Sequence, residues 1–293
     1  MFEGSIVALV TPFTDQGEVD ASALRRLVDF HLEQGTNGLL IAGTTGESVS
    51  LTSAEFTGIL DLVVERLGGQ IPVIAGTGNA STMRSVEQTQ LAAAHGADAA
   101  LLVTPYYVRP SQRGLEAHFM AIADESDIPV ILYNVPSRTS VDLLPQTVER
   151  LSAHPRIVAI KEATGDPRRI DEILDRCDDF FVVLSGDDHS CLQAMKRGAR
   201  GVISVAANVA PGRMAELCAV AHLQDWARAD VLENELSRLF DILMIETNPI
   251  PVKWALFEMG LVGPHLRLPM TGLDEEYHER LRQCLHGLGL IPS

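Results

Sequence analysis

One pattern recurs eight times along this chain: a short apolar run rich in β-branched residues, a polar or Gly-rich turn, then an amphipathic helical stretch. The runs are SIVALV from Ser5, GLLIAG from Gly38, PVIAGT from Pro72, AALLVT from Ala99, PVILYN from Pro129, IVAIKE from Ile157, FVVLSG from Phe181 and GVISVA from Gly201. A helix placed between two strands returns the chain to the end where it started, so the strands it joins are expected to run parallel. Eight such units predict a closed α/β (β/α)8 TIM barrel, with a doubly wound open sheet as the alternative. Against the open sheet, the Gly-rich turn Gly76-Thr77-Gly78 lacks the third glycine of a dinucleotide fingerprint, and no Walker-type lysine follows any such turn. The joints QGTNG at Gln34, HGADA at His95 and RGARG at Arg197 each put a glycine where a helix must turn into the next strand. After about Gln224 the strand pattern stops and three helical segments remain, near Trp226 to Ile245, Pro251 to Met259 and Asp274 to Leu285. Residues 1–224 are therefore expected to form the catalytic barrel, and 225–293 a C-terminal helical extension.

The charge balance narrows the partners. With 293 residues, 46% of them hydrophobic and a net charge of -16, the chain can bury a large core and has no basic run suited to a nucleic-acid backbone. No stretch approaches about 20 apolar residues, and the N-terminus lacks the charged region of a signal peptide, so a cytoplasmic protein is expected, with no membrane partner. The cysteines Cys177, Cys191, Cys218 and Cys284 are scattered, without a Cys-x-x-Cys, which disfavours a zinc cluster and a disulfide framework alike.

Lysine is scarce. Of 23 lysines and arginines only Lys161, Lys196 and Lys253 are lysines, and Lys161 stands in IVAIKEATGD, directly after four apolar residues at a strand end. One reading is a lysine that snorkels to solvent or pairs with Glu162, although neighbouring strand residues face opposite ways. The other is an amine whose pKa is depressed by apolar walls, able to attack a ketone and form an imine, which guanidinium cannot do. In a barrel, chemistry gathers at the C-terminal strand ends. Those ends here carry Thr44, Thr45, Thr104, Tyr106, Tyr107, Tyr133, Arg138 and Ser204, so three of the four tyrosines fall at two strand ends, where they could also stand for β propensity alone. With Lys161 they form the hydroxyl-rich relay that an imine mechanism needs for its protons. Asp187-Asp188-His189 could bind a divalent metal, but a strand-end aspartate more often caps the next helix. Lys253, just after two prolines, is expected to be structural at the domain junction, and Lys196 to sit near a helix C-terminus.

The segments GTTGES (43 to 48), TPYY (104 to 107), YNVPSRT (133 to 139), IKEATGD (160 to 166) and NPIPVKWA (248 to 255) together resemble the dihydrodipicolinate synthase family of class I pyruvate aldolases, essentially end to end. The resemblance implies condensation of pyruvate with L-aspartate 4-semialdehyde to 4-hydroxy-tetrahydrodipicolinate, on the diaminopimelate route to lysine, with no cofactor and no metal. It implies Lys161 as the Schiff-base lysine and Tyr133 as proton donor and acceptor. Thr44 and Tyr107 would complete the relay, Tyr107 reaching across from a neighbouring subunit. Thr45 would hold the pyruvate carboxylate with the backbone at Ile203, and Arg138 the carboxylate of the semialdehyde. A homotetramer, a dimer of dimers, is implied as well. Other lyases on this scaffold, for N-acetylneuraminate or keto-deoxy sugar acids, and a non-catalytic keto-acid-binding paralogue are the alternatives; Arg138 in its Ser-Arg-Thr setting favours the synthase. Where feedback-inhibited members bind lysine, this chain keeps Ser48 and Tyr106 but has Ser53, Phe56 and Arg84, which predicts weak or absent lysine inhibition.

Overall fold

A computed structural model describes residues 2–292. Eight strands close into one parallel barrel in sequential order: β1 (Gly4–Ala8), β2 (Gly38–Ile41), β3 (Val73–Gly76), β4 (Ala99–Val103), β5 (Val130–Asn134), β6 (Ile157–Glu162), β7 (Val182–Ser185) and β8 (Gly201–Ser204). The expected barrel is correct, and the open-sheet alternative is excluded by the pairing of β1 with β8, Ile6 opposite Ile203. Six of the eight strands stop one or two residues before the apolar run does, the run's last residues passing into the loops that follow.

Local chemistry sets the boundaries. Helix Ser53–Leu67 begins with a reciprocal capping box, in which Thr52 Oγ1 accepts from the Glu55 N–H and the Glu55 carboxylate accepts from the Thr52 N–H. Asp20, Ser81, Ser111, Asp225 and Asp274 cap other helices with their side-chain oxygens. The glycines in the three joints, Gly35, Gly96 and Gly198, have φ of +76°, +85° and +108°, a backbone region that a Cβ opposes and that ends each helix facing the next strand.

The period of two divides the barrel into an inner and an outer core. Ile6, Ala8, Leu40, Ile74, Leu101, Ile131, Ala159, Leu184 and Ile203 fill the interior, whereas Leu102, Leu132, Ile160 and Val183 pack outward against helices. Each fully buried Leu or Ile side chain contributes about 1.5 to 3 kcal/mol of apolar transfer. The C-terminal helices Trp226–Ile242, Ile250–Glu258 and Glu275–Gly287 match the three predicted segments. Their Leu232, Leu236, Phe240, Leu256 and Leu281 belong to the same apolar cluster as Leu24, Leu39 and Val202 of the barrel, so extension and barrel share one core. Among the described residues no helix is long and apolar enough to cross a membrane.

Candidate active site

Register brings the key side chains together. Tyr133 on β5 lies opposite Lys161 on β6 and Val103 on β4, and Lys161 lies opposite Leu184 on β7. Since Ala159 is interior, Lys161 two residues on points the same way, up the barrel axis; Glu162 faces the surrounding helices instead. There Asn134 Nδ2 donates to Glu162 Oε2 at 3.0 Å and to Asp142 Oδ1 at 2.8 Å, and Arg169 pairs with Asp142 at 2.9 Å. Glu162 is thereby spent on the outer wall and is not the partner of Lys161.

Lys161 is 5% exposed, with Nζ 4.4 Å from the centre of the Tyr133 ring. Lys196 pairs with Asp230 and Lys253 with Glu47, whereas Lys161 forms no ion pair among the described residues. Burial pushes its amine down to about 8, with the carboxylate of Asp188 pulling up and the Arg138 guanidinium pushing further down. At pH 7 a shift of that kind makes far more of the free amine available than an unperturbed lysine at 10.5 would offer. Burial also raises the Tyr133 phenol, opposed by the nearby Arg138 charge and the Thr44 hydroxyl, so it holds its proton at neutral pH. Gly186 makes room for this lysine: a Cβ there would stand 3.0 Å from Lys161 Cε and 2.7 Å from Ala163 Cβ.

A pocket at the C-terminal strand ends is lined by Thr44, Thr45, Tyr133 and Lys161, with Ala8, Leu40, Leu101 and Val103 as its apolar floor. Ile203 lies buried in the barrel interior beneath it. Arg138 is exposed on the short helix Pro136–Thr139, and its Nη2 donates to the backbone carbonyl of Asn248 at 3.4 Å. Tyr107 is the one predicted site residue that this chain does not bring in: at φ +71° it projects from the surface, 91% exposed.

Asp187, Asp188 and His189 are held in other bonds. Asp187 Oδ2 accepts from the Ser190 N–H and hydroxyl, Asp188 Oδ2 accepts from the Val205 and Ala206 N–H groups, and His189 meets Asp241 at 3.0 Å. Among the described residues no cluster of three or more His, Cys, Asp or Glu is arranged to hold a metal ion.

Two features escaped the sequence. Asn248, inside the quoted NPIPVKWA segment but given no role, donates from Nδ2 to Thr45 Oγ1 at 3.0 Å. Lys253 is structural, as expected, but its form is unexpected: fully buried, its Nζ meets Glu47 Oε1 at 2.6 Å and stands 4.3 Å over the Phe13 ring, while Arg267 covers the ring's vicinity at the same distance. The lone lysine in an apolar helix was the available signal.

An eight-stranded parallel barrel with a buried amine beside a phenol in one pocket at its C-terminal strand ends places this chain in the class of barrel enzymes. The comparisons specify which one. The model of the dihydrodipicolinate synthetase family matches residues 1–288, and the chain belongs to that family. It is similar to the 4-hydroxy-tetrahydrodipicolinate synthases of Stutzerimonas stutzeri, 53% identical over 99% of this chain and 100% of the relative, and of Pseudomonas aeruginosa, 52% identical over the same shares. Among solved structures, the chloride-inhibited dihydrodipicolinate synthase of Acinetobacter baumannii in complex with pyruvate superposes with a TM-score of 0.98, at 49% identity, covering 99% of this chain and 100% of that one.

Proposed function

We propose that this chain is a 4-hydroxy-tetrahydrodipicolinate synthase, which condenses pyruvate with L-aspartate 4-semialdehyde on Lys161. The observation that carries this is the unpaired, buried amine of Lys161 held against Tyr133 in a pocket walled by hydroxyls. The amine attacks the pyruvate ketone; the carbinolamine loses water as Tyr133 donates a proton to the departing hydroxyl, leaving a protonated imine. That imine draws electrons from the adjacent methyl, which gives up a proton to become an enamine carbon. The enamine attacks the aldehyde of the second substrate, whose oxygen takes up a proton, and its amino group then displaces Lys161 from the imine carbon. This closes the ring, frees the lysine and requires no redox partner.

Thr45, with the backbone at Ile203, binds the pyruvate carboxylate, and Arg138 at the pocket rim binds that of the semialdehyde through its guanidinium fork. Thr44 and Tyr133 share the proton relay with Tyr107 of a neighbouring copy. The outward pose of Tyr107, 91% exposed beside the exposed Val108, supports that assignment, since an aromatic ring turned fully to solvent is suited to an interface. A cytoplasmic homotetramer built as a dimer of dimers completes the proposal.

Borohydride trapping tests it. Reduction with pyruvate present is expected to fix a stable adduct on the peptide carrying Lys161, with a yield that rises with pH through about 8 as the amine loses its proton. Lys161→Arg should gain none, and equal labelling of that variant would overturn the assignment.

A further inference from the structure

We propose that Asn248, a residue of the C-terminal extension, is a positioning residue that sets the hydrogen-bond polarity of Thr45 and thereby the affinity for pyruvate; this rests on the reading of Thr45 as the pyruvate-carboxylate contact. Thr45 is buried and lines the pocket. A threonine hydroxyl has one proton and can give it to one acceptor. Because Asn248 Nδ2 donates to Thr45 Oγ1 at 3.0 Å, the oxygen is engaged as an acceptor and the proton is left for a ligand. A carboxylate needs that polarity, since it can only accept.

The orientation of the amide follows from its surroundings. Asn248 is 5% exposed, and its Oδ1 is buried without a partner. Turning the amide over would make Oδ1 accept the Thr45 proton, removing it from the pocket, and would bury the NH2 group instead, stranding two donors in place of one acceptor. The position of Asn248 is itself fixed from both sides. Its carbonyl accepts from Arg138 Nη2, and the helix that follows it is pinned where Lys253 meets Glu47, two residues beyond Thr45. The segment Thr45–Glu47 is thus gripped at one end by Asn248 and at the other by Lys253. One residue therefore touches both substrate subsites, by its side chain at Thr45 and by its backbone at Arg138.

Asn248→Leu separates this role from a structural one. The leucine retains the backbone carbonyl that receives Arg138 and removes the stranded Oδ1, so the melting temperature should hold or rise. The KM for pyruvate should rise about tenfold with kcat changed less than about threefold, and the KM for the semialdehyde should stay within about twofold. In a Thr45→Val background the same substitution should change the pyruvate KM by less than about twofold, because there is no hydroxyl left to orient. Should Asn248→Leu fail to fold, Asn248→Asp, whose carboxylate would take the Thr45 proton, should raise the pyruvate KM by more than about tenfold. A pyruvate KM unchanged in the folded variant, effects that multiply across the double variant, or both KM values rising together with a fall in melting temperature would each overturn the proposal. If wild-type enzyme gave no borohydride-trapped pyruvate on Lys161, the functional reading beneath it would fall; normal trapping with an unmoved KM would sink this inference alone.

Discussion

Replacing Lys253 by methionine would remove the ammonium that Glu47 meets in a buried site. Lys253 is fully buried and Glu47 nearly so, their side chains meeting at 2.6 Å. Burial, helped by the nearby Arg267 guanidinium, pushes the Lys253 amine down more strongly than the charge and hydrogen bond of Glu47 lift it. Such a pair contributes little net stability, yet breaking it from one side is expensive, because it leaves a charge buried and unpaired. The usual cost is about 3 to 5 kcal/mol. Here the lower end applies, since Glu47 Oε2 still accepts from the Arg267 N–H at 3.1 Å. A chain of this length loses about 2 °C of melting temperature per kcal/mol, so Lys253→Met should melt about 6 °C lower at matched protein concentration. Neutralising the orphan as well, in Lys253→Met with Glu47→Gln, should recover at least half of the loss. Thermal melts, repeated as urea titrations, measure both. A single variant that melts within about 1 °C of wild type, or a double variant no better than the single, would refute the reasoning.

Arg138→Ala should raise the KM for the semialdehyde at least about tenfold while leaving borohydride trapping of pyruvate near wild type, because only the acceptor's carboxylate uses that fork; an equal loss of both would make Arg138 structural. His31, buried with its Nδ1 on Thr36, has its pKa lowered from 6.5 to about 3 by burial, so the unfolded chain binds the proton more readily and stability falls as pH drops below 6.5. The penalty should reach about 2 kcal/mol at pH 5, and His31→Asn should flatten that part of the urea stability profile; an unchanged slope would contradict it. Lysine should inhibit weakly or not at all: the groove that holds Ser48 and Tyr106 is lined by Ser53, Phe56 and Arg84, which offer the ligand's ammonium an apolar ring and a like charge. Tight, near-complete inhibition in an initial-rate titration would refute this.

What could be read from the sequence was what short-range pattern encodes. Each strand announces itself within six residues, and Lys161 stands out because an ammonium after four apolar residues conflicts with its neighbours. The period of two also placed Glu162 on the far wall. The Glu47–Lys253 contact spans 206 positions and the Asn248–Thr45 contact 203, and no local period predicts which loop a distant helix will reach. Asn248 drew notice only as part of a motif, and Lys253 only as a structural residue at the domain junction, with no partner foreseen. Tyr107 shows the opposite limit, for its outward pose was expected from family resemblance and has no signature in TPYY itself.

Translation makes Glu47 long before Lys253, and this gives the buried pair a temporal meaning. Every residue assigned to the chemistry, from Thr44 to Ile203, has left the ribosome before Lys253 is made. A nascent barrel carries its whole complement of reacting groups, but it also carries Glu47 as a carboxylate whose eventual counter-ion does not yet exist. Until Lys253 is made that carboxylate has no ammonium to meet, and the segment that bears Thr45 lacks the contact that holds its far end. On the reading that Asn248 orients Thr45, pyruvate affinity arrives only after the barrel is made, and a chain stalled before residue 248 would hold its nucleophile without the carboxylate grip that serves it.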